Sequence, residues 1–143
     1  MLVGFVLAAG SYATGWLKGG HPERFGVAIL VTEHLISRFF QTWQVGGLYV
    51  GVATSEFLLL LVFCWLALHS TRWWPFIVTA ALGLMLLVLV IATRAPDLSR
   101  NDIAAAHNGL GWLVNLAVLA GVGERWMAGE RAVSKGRLWR NRP

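Results

Sequence analysis

Leu48–Pro75, LYVGVATSEFLLLLVFCWLALHSTRWWP, decides the fold class. From Leu48 to Leu68 it carries one formally charged residue, Glu56. About 20 apolar residues is the length a helix needs to cross hydrocarbon. No water is available there, so the backbone N–H and C=O groups must bond to one another within the segment, which makes it helical. Arg72, Trp73 and Trp74 follow, the cation and indoles that settle at a lipid–water boundary. Pro75 then opens a second apolar run. The stretch reads as a membrane-embedded helical hairpin with one carboxylate inside it.

The rest of the chain agrees. Of 143 residues, 57% are hydrophobic and only 13% charged, against roughly 25% charged in a soluble domain. A soluble fold of this length would need a very large core under almost no charged surface. The lone Cys64 excludes an intramolecular disulfide and a thiolate cluster, and in its apolar run it reads as a small buried hydrophobe.

Leu2–Leu17 is apolar and lacks a basic region ahead of it, so it is expected to be a retained first span rather than a cleaved signal. Gly4 with Ala8, and Ser11 with Gly15, give small residues at the i,i+4 spacing that lets helices approach closely. Gly19-Gly20-His21-Pro22 breaks the run, and Pro22 and Glu23 suit the first turn of a second helix. Residues 25–43 are long enough to span but hold Glu33, His34 and Arg38. A central charge costs about 2.5–3.5 kcal/mol on insertion scales. The alternative is a helix lying in the interface. Phe76–Thr93 has no charge and is the best candidate for a lipid-facing helix. The segment RAPDLSRND is a turn, with Asn101 or Asp102 as the cap of a last span, Ile103–Gly123.

Charge sets the orientation. From Glu124 to Pro143 six basic residues face two acidic ones, Glu124 and Glu130. That excess places the C-terminus in the cytoplasm and suits anionic lipid head groups. Counting back, five spans put Lys18 and Arg24 inside, whereas four spans plus an interfacial helix put both outside. The expectation is an all-α integral membrane bundle of five transmembrane helices over residues 1–123 with a basic cytoplasmic tail over 124–143. Trp73, Trp74, Trp126, Trp139, Arg137 and Arg140 are its expected interface anchors. Four spans plus a surface helix is the alternative.

In a five-span bundle Glu33, His34, Arg38, Glu56, His107 and Asn115 share the outer half of the membrane: at about 1.5 Å per residue Glu33, His34, Glu56 and Asn115 reach comparable depths, with Arg38 and His107 nearer the outer face. His107, Gly111 and Asn115 are spaced by four and form one stripe. Arg38 is the cation nearest to Glu56 in depth, so the bland reading is an internal salt bridge that fixes helix register. The sharper readings are a proton or ion pathway, or haem or another tetrapyrrole at His34 or His107. No diagnostic metal spacing is present, and no nucleophile elbow, phosphate loop, His-Glu-x-x-His or Cys-x-x-Cys occurs. No metal, cofactor, enzymatic activity or nucleic-acid partner is therefore expected.

Gly20-His21-Pro22-Glu23-Arg24, the acidic Glu56 in the third run, and Arg72-Trp73-Trp74-Pro75 before the fourth together form a pattern. It resembles that of small, hydrophobic multi-span bacterial proteins of unknown function. The resemblance covers roughly half the chain and implies a bacterial inner-membrane protein with these runs as spans. It supplies no activity. The functional expectation is an accessory or assembly subunit that works with other membrane subunits or as a homo-oligomer. The alternatives are a proton- or ion-coupled transporter or channel subunit, or a haem- or pigment-binding subunit.

Overall fold

The computed structural model describes residues 2–40, 50–95 and 99–129. These form five helices: α1 (Leu2–Lys18), α2 (His21–Phe40), α3 (Val50–His69), α4 (Trp74–Arg94) and α5 (Arg100–Met127). No strand occurs among the described residues. Three helices are long and apolar enough to cross a membrane: α3, α4, and α5 from Asn101 to Met127. Five were expected on these grounds. The α1 helix has 17 residues, which is short for a span, and α2 carries Glu23, Arg24, Glu33 and Arg38.

The helix ends follow local chemistry. Gly19 and Gly20 separate α1 from α2, and the Gly20 N–H donates to Glu23 Oε2 at 2.7 Å. A carboxylate three residues into a helix that reaches back to the preceding amide is half of a capping box. Pro75 lies in the first turn of α4, where its missing N–H costs nothing. At α5 the cap is Ser99, not Asn101 or Asp102. Ser99 Oγ accepts from the Asp102 N–H at 3.2 Å, and Asp102 Oδ2 accepts from the Ser99 N–H at 3.3 Å. Asp102 is thus the N3 partner of the box rather than the cap itself.

Each helix packs on the next in sequence and α1 closes the ring on α5, while α2 also touches α5 across the interior. The short turns make α1 antiparallel to α2 and α3 antiparallel to α4. The core holds Val27, Phe63, Val78, Leu82 and Val118. Phe76–Thr93 is two-faced rather than wholly outward. Val78, Ala81, Leu82 and Met85 are buried, while Leu84, Leu87 and Val90 face out, as a 3.6-residue period requires.

Large apolar side chains are exposed on every helix, among them Trp16, Phe25, Leu61, Leu87 and Trp112. An apolar exterior on this scale is untenable in water and fits a membrane. The last helix also runs past Gly123 to Met127. Within it, Glu124 meets Arg72 of the α3–α4 turn and Arg125 meets Glu23 of α2.

Candidate functional site

Two polar layers cross this apolar bundle. The first lies at the end where α1 turns into α2 and α3 into α4. Glu23, in the first turn of α2, is fully buried. Its Oε2 accepts from Gly20 and lies 3.7 Å from Arg125 Nη1 near the end of α5. Its Oε1 accepts from Trp74 Nε1, at the start of α4, at 3.2 Å. Three distant parts of the chain meet on one carboxylate. Beside it, Arg72 donates to Glu124 at 3.4 Å, and Lys18 stands 5.4 Å above the Trp126 ring, within cation–π range.

Glycines make this layer possible. The Trp74 indole lies between α2 and α5 and meets Phe63 edge-on, with centroids 6.1 Å apart. A Cβ at Gly26 would stand 2.7 Å from the indole, and one at Gly121 would overlap it. A Cβ at Gly20 would overlap the Arg125 guanidinium.

The second layer lies toward the other end. Glu33 is seven residues before the end of α2, Glu56 six after the start of α3 and His107 seven after the start of α5. At about 1.5 Å per residue all three sit ~10 Å from the helix ends, at one depth. His107 Nε2 lies 2.6 Å from Glu56 Oε1. The Glu56 side chain is only 6% exposed, and its Oε2 is buried with no hydrogen-bond partner among the described residues. Glu33 faces the Ser55 hydroxyl and lies within electrostatic range of Glu56, His107 and the Tyr12 phenol. Between the layers, Ser11 Oγ donates to Asn115 Oδ1 at 2.7 Å, and Asn115 Nδ2 donates to the Gly111 carbonyl at 2.8 Å.

The structure therefore brings Glu33, Glu56 and His107 together and sets Asn115 about two turns further along α5, against Ser11 of α1. His34 does not enter the interior. It is exposed, because neighbouring helix positions point about 100° apart. The Arg38 side chain, Trp139, Arg137 and Arg140 lie outside the described residues. The described partner of Glu56 is His107. The same 100° offset corrects one anchor: Trp73 is exposed, as is Trp126, but Trp74 is fully buried and is a core residue. The layer around Glu23, Gly121 and Arg125 escaped the sequence reading, which gave Glu23 only a helix-dipole role. The signal present was the pair of short motifs, Gly20–Arg24 and Arg72–Pro75, which meet in space.

Among the described residues no group of three or more His, Cys, Asp or Glu side chains is arranged to hold a metal ion. No protein-family model, curated protein or solved structure matches this chain.

Proposed function

We propose that this chain is a small multi-pass protein of the bacterial inner membrane that acts as an accessory or assembly subunit. All five helices cross the bilayer, with the C-terminus in the cytoplasm. Packing supports five crossings. The Ser11 hydroxyl ties α1 to Asn115 of α5, and Glu33 of α2 faces Ser55 within electrostatic range of Glu56 and His107, an arrangement that an α2 lying flat on the membrane would forfeit. The distribution of charge supports the orientation, since Lys18, Arg24, Arg72 and Arg125 gather at one end.

One observation carries the subunit reading. Asn108 is exposed on the outer face of α5, ~12 Å from its start, and beside it Gly109 has open space where a Cβ would stand. An amide facing hydrocarbon gains a hydrogen bond when another helix docks, and a glycine lets that helix approach closely. The occupant is a transmembrane helix of a partner subunit. Replacing Asn108 with Leu together with Gly109 with Ile should lower the native mass of the complex purified in mild detergent, with the chain itself still folded. An unchanged mass sinks this reading.

A second reading, proton- or ion-coupled transport, is favoured by the acid–base layer of Glu33, Glu56 and His107. Flux in liposomes that Glu56→Gln abolishes is its test, and wild-type liposomes no leakier than empty ones would reject it.

A further inference from the structure

Among the described side chains the interior layer is at least one positive charge short. Glu33 and Glu56 bring two carboxylates, and His107 brings at most one positive charge. Tyr12 of α1, within electrostatic range of Glu33, is a neutral phenol at neutral pH, and α4 is uncharged from Trp74 to Thr93. Leaving a net negative charge in an apolar interior is costly. The geometry shows where the deficit falls. Glu56 Oε1 is taken by His107 at 2.6 Å, while Oε2 is buried and has no hydrogen-bond partner among the described residues. A bare carboxylate oxygen inside a protein calls for a proton or a cation. A metal ion requires several oxygen ligands around one point, whereas a proton requires only one acceptor.

We propose that Glu33, Glu56 and His107 form a single-proton site in the membrane interior. The proton comes from bulk acid. One O–H bond forms on a carboxylate, no bond in the protein breaks, and with His107 as the imidazolium the layer becomes neutral. The titration belongs to the cluster as a unit. Uptake of this kind is an equilibrium property and holds whether or not the chain transports anything or serves a partner.

The experiment uses the full-length wild-type protein in detergent with dicyclohexylcarbodiimide. A protonated carboxyl in apolar surroundings adds its O–H across the carbodiimide C=N, and the O-acylurea rearranges to a stable N-acylurea with no leaving group. One adduct is expected, mapped by peptide mass to Glu33 or Glu56. Labelling should fall about tenfold for each pH unit above its midpoint, the slope of one proton, and sodium chloride should leave it unchanged at fixed pH. In parallel, infrared spectra should lose one protonated-carboxyl band over the same pH range. His107→Gln should move the midpoint and keep the adduct. Absence of both adduct and band, labelling confined to Glu23, protection by sodium, or a midpoint indifferent to His107→Gln would each overturn the proposal. The wild-type measurements stand even where a variant fails to fold.

Discussion

Trp74 Nε1 donates to Glu23 Oε1 at 3.2 Å, tying the first turn of α4 to the first turn of α2. Both side chains are fully buried. The bond satisfies a donor and an acceptor that would otherwise be stranded in hydrocarbon-like surroundings, where an unmade hydrogen bond costs about 1–3 kcal/mol. It also fixes the depth of the indole between the two glycine-bearing helices.

Trp74→Phe keeps most of the ring and removes only the donor. The expected loss is about 1–3 kcal/mol. Trp74→Ala removes the ring as well and should cost about 3–5 kcal/mol. The melting temperature in detergent should order the proteins wild type, Phe, Ala. Equal melting of wild type and the Ala variant would mean the indole holds nothing together.

Two glycines on α5 should respond oppositely. Gly121 lies against the Trp74 ring, and Gly123 has open space around it. Gly121→Ala forces the indole out of place and should cost about 1–3 kcal/mol, as overpacking does. Gly123→Ala should be neutral or slightly stabilising, since Ala is the better helix former. The two melting curves side by side decide this. A larger loss at Gly123 would contradict the described packing.

Glu23 and Arg125 should be energetically coupled. Truncating one partner of a buried ion pair leaves the other charge uncompensated, at about 3–5 kcal/mol. Glu23→Ala and Arg125→Ala are each expected to be strongly destabilising, and the double variant less so than their sum. The check is a double-mutant cycle on thermal stability, and simple additivity would show that the pair does not interact.

Ser11→Ala deletes the hydroxyl that donates to Asn115 Oδ1 at 2.7 Å. Side-chain hydrogen bonds between membrane helices average about 0.6 kcal/mol and reach ~1.7, so the loss should lie in that range. Because Ser11 binds α1 to α5, protease sensitivity of α1 should rise while the α3–α5 fragment stays protected. Unchanged digestion of α1 would remove the bond from the account.

Topology is testable with single cysteines at exposed positions. His21, Thr71 and Asn101 are all exposed at helix ends, unlike Gly20, which is buried against Arg125. Five crossings with a cytoplasmic C-terminus predict that cysteines at His21 and Thr71 react only after the membrane is permeabilised. A cysteine at Asn101 should react in intact cells. A cysteine at His21 that labels from outside would favour the four-span alternative with α2 on the surface.

The sequence by itself determined that the described chain is helical and membrane-compatible. That follows from composition and from unbroken apolar length in α3, α4 and α5, quantities any window along the chain contains. It also set Glu33 and Glu56 at comparable depths, because rise per residue is constant in a helix, but placed His107 nearer the outer face; the start of α5 at Arg100 brings it level with them. Rotation about each helix axis and the choice of neighbours were decided only by the tertiary structure. Trp73 and Trp74 are the same residue type in the same boundary setting, and packing alone turns one outward and seats the other between Gly26 and Gly121. Likewise His34 is chemically as good a partner for Glu56 as His107, but α2 turns it outward while α5 delivers His107 to 2.6 Å. Glu23 and Arg125 are 102 residues apart in a chain where each reads as an ordinary helix-end charge. They become one buried pair because the ring closes α5 onto both α1 and α2. Side-chain partners across a bundle depend on which helices touch and how each is turned, and no local stretch of sequence encodes either.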